Sequence, residues 1–212
     1  MRYALFRQGM LAMAGAPIRA FLCSREGLEA PDLMLGWIPM LTEPSPRGPR
    51  ISRQSGVTLY AHPMRPESKG QIHVTAADPR RPPAINFNFL SSPPDAELTV
   101  CAVRIARAIM TAPAMAPFQV SEVVPGADLT TDDEILGWVK QAAETTYHPV
   151  GTCKMGSDPL AVVDAQLRVH GIAGRFLGGS NVAGGAKTGH SFAGEVAGQA
   201  EGPPAARRAL RA

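Results

Sequence analysis

The sequence is short of aromatic rings, cysteine and long apolar runs, and each shortage excludes something. Aromatic residues are 6% of the 212 residues, so no aromatic cage for a quaternary ammonium can be read from them. The cysteines Cys23, Cys101 and Cys153 are far apart and odd in number. They form neither a disulfide framework nor a zinc spacing, and a reducing, cytoplasmic setting is the simplest expectation. No run approaches the roughly 18 apolar residues of a membrane span, so no spanning segment is expected. Within Met1 to Pro17, Arg7 and Gln8 interrupt the apolar run. That pattern fits an amphipathic helix better than a signal peptide. Charge of one sign is also scarce: the net charge is +3, and the clustered arginines are Arg207, Arg208 and Arg211 near the end. A nucleic-acid partner would need a basic stripe on one face, and none is expected.

What is present describes a globular chain. Hydrophobic residues are 45% and charged residues 18%, too apolar for disorder. With 21 glycines and 20 prolines, the composition favours a loop-rich α+β chain over a helical bundle.

Tyr3 to Met13 reads as a helix ended by Gly15 and Pro17. Residues 18–23 and 33–41 read as strands, and Glu43 to Gly48 as a loop. Residues 57–64 and 71–76 alternate, and Arg65 to Gly70 between them has hairpin length and turn chemistry. The spacing predicts an antiparallel pair with one face buried, followed by a short strand over 84–89. Ser92-Pro93-Pro94-Asp95 opens a helix with a capping serine, prolines in the first turn and an acid at its positive end. Thr131-Asp132-Asp133-Glu134 opens a second helix, which delivers the chain to His148. The fold expected is α+β: an antiparallel sheet from the strands at 18–23, 33–41, 57–64, 71–76 and 84–89. Helices near 95–111 and 132–145 would cover one face. Trp37, Tyr60, Phe87 and Phe89 could line a substrate side or the core, and core is the default.

His148 lies in Tyr147-His148-Pro149-Val150-Gly151. The proline holds the histidine in an extended conformation, and the glycine permits an abrupt turn just beyond. A histidine so placed suits general acid–base chemistry, and on spacing alone it suits a structural role equally well. His62, His73 and His170 read as structural, exposed or turn residues. His190, in Thr188-Gly189-His190-Ser191, is a candidate partner to His148. Cys153 reads as a small buried hydrophobe before a nucleophile. No metal site is expected, because His148 and Cys153 lack two further ligands at a workable spacing. The glycine-rich run from Gly178 to Thr188 is not a phosphate loop, since Ala186 stands where the motif requires glycine.

These residues together resemble the C-terminal part of the glucose–methanol–choline (GMC) flavoprotein oxidoreductases, in particular the choline-dehydrogenase-like branch. The resemblance rests on Tyr147 to Gly156, Ala161 to Asp164 and Leu167 to Gly171. Upstream it includes Met64 to Gly70, with the family's Arg-Pro-x-Ser-x-Gly, together with Asp78-Pro79 and Pro83 to Leu90. It covers roughly residues 1–175. In that family a histidine at the flavin's reactive face takes the hydroxyl proton of an alcohol while hydride passes to the flavin. The resemblance therefore implies FAD as cofactor and a small-molecule alcohol as substrate. It implies His148 and His190 as catalytic residues and Ser180 as a cofactor-binding residue.

Two departures go with the resemblance. No strand–Gly-x-Gly-x-x-Gly–helix unit begins the chain, so the ADP end of FAD has no visible holder. After Arg175, Gly178 stands where the family has Asp and Ala183 where it has Pro, and His190 falls one residue late. A frame change in the coding sequence near this point would account for the composition beyond it. The organisation expected is a substrate-binding-type domain over 1–146, a catalytic-histidine segment returning toward a flavin domain over 147–200, and a frayed tail over 201–212. The alternatives are a catalytically inert remnant, truncated or frameshifted, and a subunit that works with a separate flavin domain.

Overall fold

The computed structural model describes residues 2–9, 12–43, 50–118, 120–145, 150–179 and 192–200. Its helices are α1 (Arg2–Phe6), α2 (Pro93–Met110) and α3 (Asp132–Ala142), with a 3-10 helix at Pro113–Phe118. Its strands are β1 (Ile18–Leu22), β2 (Leu33–Ile38), β3 (Thr42–Glu43), β4 (Arg50–Ile51), β5 (Val57–Pro63), β6 (Gln71–His73), β7 (Ala84–Asn86), β8 (Val120–Val124), β9 (Glu144–Thr145) and β10 (Phe192–Ala200). The chain forms two compact units that interleave in sequence. The first comprises Met1–His62, Thr99–Ala143 and Ala193–Ala212, and the second Pro63–Leu98 and Glu144–Phe192.

The first unit is built on a sheet in the order β1-β2-β5-β10-β8. The registered pairs β1–β2, β5–β10 and β10–β8 are all antiparallel. As the central strand, β5 buries Thr58, Leu59 and Ala61, so both of its faces are covered instead of one. The Thr58 hydroxyl satisfies its burial by donating to the Met40 carbonyl at 2.8 Å. Gly36 on β2 lets Tyr60 cross it: a Cβ there would stand 2.0 Å from the Tyr60 ring.

The helical part of the core follows from periodicity. Thr99, Ala102, Val103, Ala106 and Met110 recur at intervals of three and four along α2, and all are buried. On α3, Ile135 and Val139 are buried at a spacing of four. The start of α3 is a capping box, in which the Thr131 side chain accepts from the Glu134 N–H while Glu134 reaches back to the Thr131 N–H at 2.9 Å. Arg107 links α2 to β8 and the turn after it. Its guanidinium grips Glu122 at 2.9–3.1 Å and donates to the carbonyls of Leu129 at 2.6 Å and Gly126 at 3.0 Å.

In the second unit, β6 and β7 form an antiparallel ladder of their own, Gln71↔Asn86 to His73↔Ala84. The expected pairing of 57–64 with 71–76 is therefore corrected, as is the placing of 71–76 and 84–89 in the main sheet. Residues 65–70 are not a hairpin turn, because side chains distant in sequence hold them. Asp95, in the first turn of α2, accepts from the Glu67 N–H at 2.8 Å, the Ser68 N–H at 2.7 Å and the Ser68 hydroxyl at 2.5 Å. Ser68 Oγ in turn accepts from the Ser92 N–H at 3.1 Å. Gly70 then passes so close to β7 that a Cβ would stand 2.2 Å from the Asn86 carbonyl oxygen. The buried face expected for 71–76 is also corrected: every residue of β6 and β7 is exposed.

Two further corrections concern the ends of the chain. The first helix stops at Phe6 and does not reach Met13, because Arg7 (φ 55°) and Gly9 (φ 97°) turn into left-handed conformations. The main sheet contains β8 and β10, which periodicity did not reveal.

Candidate active site

In sequence, the segment carrying His148 falls between β9 and Val150. Helix α3 ends at Ala142, and β9 takes the chain to Thr145. The chain resumes at Val150, which is half-buried, and Gly151 turns it at φ 84°, a conformation that favours glycine. His148, His190 and Ser180 lie outside the described residues.

Beyond Gly151 the chain ties itself into a small braid centred on Val163, which is fully buried. Val163 forms a parallel bridge with Met155 and an antiparallel bridge with Val169, and Arg168 bridges Phe176. Backbone bonds close the braid: Gly156 N–H to Val163 O at 3.0 Å, His170 N–H to Val162 O at 3.0 Å and Leu177 N–H to Leu167 O at 3.0 Å. The Asp164 carboxylate folds the turn inside it by accepting from the N–H groups of Gln166 (2.8 Å) and Arg168 (2.9 Å). His170 Nε2 lies 3.0 Å from the Gly156 carbonyl, which can only accept, so this nitrogen carries the proton. His170 thereby ties the two ends of the braid together. Cys153 is a half-buried free thiol at its entrance.

Charge is held on the rim of this braid. Lys154 pairs with Asp158 at 2.5 Å. The lysine ammonium and the Leu160 N–H hold the Asp158 carboxyl below its usual range. Asp164 is held low by the N–H of Arg168 and then that of Gln166, with the charges of Arg168 and His170 adding to the effect. A carboxyl depressed in the folded state contributes stability above its unfolded pKa, and that contribution is lost as pH falls through the lower folded value. Amide-exchange protection of residues 154–170 is therefore expected to hold from neutral pH down to about 4, the usual aspartate range, and to fall below it. Protection that fell between pH 7 and 5 would contradict these assignments.

His62 is half-buried on β5 with its ring 5.0 Å from that of Tyr60, and His73 is exposed on β6. Phe87 and Phe89 stack at 5.1 Å, half-buried. An open cavity of about 480 Å³ lies along Asp164 and the hairpin tip from Arg168 to Phe176. Among the described residues no group of three or more His, Cys, Asp or Glu could hold a metal ion, and no helix is long and apolar enough to cross a membrane.

A dinucleotide needs unfilled N–H groups at a helix start, reached through a glycine turn. The strand-to-helix connections 87–92 and 125–131 contain no Gly-x-Gly-x-x-Gly. At the start of α2 the Ser92 N–H donates to Ser68 Oγ, Pro93 and Pro94 carry no N–H, and the N–H groups of Asp95 and Ala96 donate to the Ser92 carbonyl, while the start of α3 is filled by its capping box. The described residues therefore do not fit the pyrophosphate of FAD.

A family model described as GMC oxidoreductase matches residues 66–188, more than half of the chain. The chain belongs to the GMC oxidoreductase family. The match runs past Arg175, so it contains His148 and Ser180 and stops short of His190. An alcohol dehydrogenase (acceptor) from Pseudomonas putida is 39% identical over 170 residues, which are 80% of this chain and 30% of the relative. An oxygen-dependent choline dehydrogenase from Brucella anthropi is 38% identical over 166 residues, covering 77% of this chain and 30% of the relative. The chain thus spans about 30% of the length of these curated relatives. Among solved structures, pyridoxine 4-oxidase from Mesorbium loti aligns with a TM-score of 0.67 and 23% identity, over 79% of this chain and 33% of that one. That structure supports the fold, the mixed helix and antiparallel-sheet arrangement of a GMC oxidoreductase.

The braid and the Ser68–Asp95 latch were not visible to sequence reading as working parts. The braid depends on partners such as Gly156 with Val163 and with His170, 7 and 14 residues apart, and the latch on partners 24 to 28 apart, such as Ser92 with Ser68 and Asp95 with Glu67.

Proposed function

We propose that this GMC oxidoreductase chain is the C-terminal portion of a flavin-dependent alcohol dehydrogenase or oxidase that acts on CH–OH donors. Residues 1–146 form its substrate side, and 147–200 carry the catalytic histidine back toward a flavin-binding part. The observation that carries this reading is the family match over 66–188, which contains the whole Tyr147 to Gly156 motif. A small-molecule alcohol is the substrate, in keeping with the names of the relatives.

In this reading the imidazole of His148 accepts the hydroxyl proton of the alcohol. The resulting alkoxide releases hydride from its carbon more readily than the neutral alcohol would. His190 is the second polar group at the alcohol oxygen, and Ser180 contacts the cofactor. A flavin held by a flavin-binding part outside these residues would supply the two-electron acceptor. Gly151 and the bonds around Val163 fix the chain that follows the Tyr147 to Val150 motif in sequence.

The visible absorption of the purified chain tests who holds the flavin. The chain alone is expected to be colourless and to acquire flavin colour when co-expressed with a flavin-binding polypeptide. A chain that stays colourless with every such partner would overturn the reading in favour of an inert remnant.

A further inference from the structure

The first unit exposes several large apolar side chains, among them four on β1 and α1. Ile18 and Phe21 on β1 are 60% and 56% exposed, and Leu5 and Phe6 on α1 are 69% and 65% exposed. β1 ends the sheet order, so among the described residues one of its edges pairs with β2 and the other pairs with nothing. Proteins guard such edges with proline, bulges or several charges, because unpaired N–H and C=O groups recruit other strands. β1 has no proline and no bulge in its ladder, and Arg19 is its only charge.

Its residues suit an identical strand. The usable edge is bracketed: Pro17 lacks an N–H, and the Ser24 N–H is already committed to Asp32 at 2.8 Å. Full antiparallel overlap of Ile18 to Leu22 with its own copy therefore centres on Ala20. On one face Ile18 then meets Leu22 of the second copy, and on the other Arg19 meets Phe21. The strand's only charge thus lies against an aromatic ring and not against its equivalent. A register centred on Arg19 would oppose the two guanidiniums, and one centred on Phe21 would require Ser24 to pair.

We propose that β1 is a homodimer interface, at which two copies of this chain join edge to edge across a two-fold axis through Ala20. The pairing extends the sheet of each copy into the other and covers Ile18 and Phe21.

Light scattering of the unmodified chain is expected to give twice the 22.4 kDa of one copy. In a Cys23→Ser background, Ala20→Cys should form a disulfide-linked dimer under oxidation, because directly opposed residues lie within disulfide reach. Arg19→Cys should not, because its equivalent is a diagonal neighbour about 7–8 Å away. Phe21→Lys, which sets two like charges together, should return the mass of one copy while keeping the circular dichroism of the parent. The mass of a single copy for the unmodified chain would overturn the proposal, as would equal cross-linking of Ala20→Cys and Arg19→Cys. A chain that is monomeric alone and gains mass only with a flavin-binding polypeptide would assign the edge to that partner instead.

Discussion

His148→Ala is expected to lower the rate of alcohol oxidation about 10²–10⁴-fold in an assembly that contains this chain and bound flavin. The loss should fall on kcat, because the imidazole acts on a proton that moves only during reaction and contributes little to holding the alcohol. Flavin content and circular dichroism should match those of the parent, which separates a lost base from a misfolded segment. His148→Gln should fail to restore the rate, since an amide hydrogen-bonds but does not take a proton. A His148→Ala assembly that turned over at the parent rate with full flavin would remove His148 from its role.

The second large effect concerns stability. Asp95→Ala should cost about 3–5 kcal/mol in chemical unfolding of the full chain. Asp95 is 4% exposed, and its carboxylate accepts from the N–H groups of Glu67 and Ser68 and from the Ser68 hydroxyl. Removing it leaves those donors without this acceptor where water reaches poorly. Ser68 is itself 4% exposed, so a relaxed loop could not restore its bonds without opening the unit. Asp95→Asn should cost less, because one amide oxygen still accepts. Ser68→Ala should cost about 1–2 kcal/mol, since it removes one donor together with the acceptor for Ser92. A loss below about 1 kcal/mol for Asp95→Ala would show that the latch is solvated and that the motif around Ser68 serves something other than folding.

The local signals in the sequence were reliable where the structure they predict is itself local. The apolar spacing of α2 and its Ser-Pro-Pro-Asp opening placed that helix within a few residues of Pro93–Met110. Thr131 to Glu134 announced the capping box of α3. Strands β1, β2 and β5 fell inside the segments read for them. The failures involve contacts across distance. Alternation in 57–64 and 71–76 suggested a hairpin, yet β6 pairs with β7, because Asp95 captures Glu67 and Ser68 and Gly70 lets the chain press against Asn86. β10 was illegible for another reason. Its Phe-Ala-Gly-Glu-Val-Ala-Gly-Gln-Ala sequence is rich in glycine and alanine, and its place between β5 and β8 comes from the strands on either side. At the candidate site, the motif around His148 was readable as chemistry, whereas the braid that follows it is set by backbone bonds that leave no periodic trace.

We propose alcohol oxidation by a flavin assembly to which this chain contributes the proton-accepting histidine. It is tested most directly by mixing that assembly, without oxygen, with a primary alcohol and with the same alcohol deuterated at the carbinol carbon. The predicted result is loss of the oxidised flavin band, slower with the deuterated alcohol because that C–H bond breaks in the reaction. A fully flavin-loaded assembly whose band is unchanged by choline and by simple primary alcohols would contradict the account.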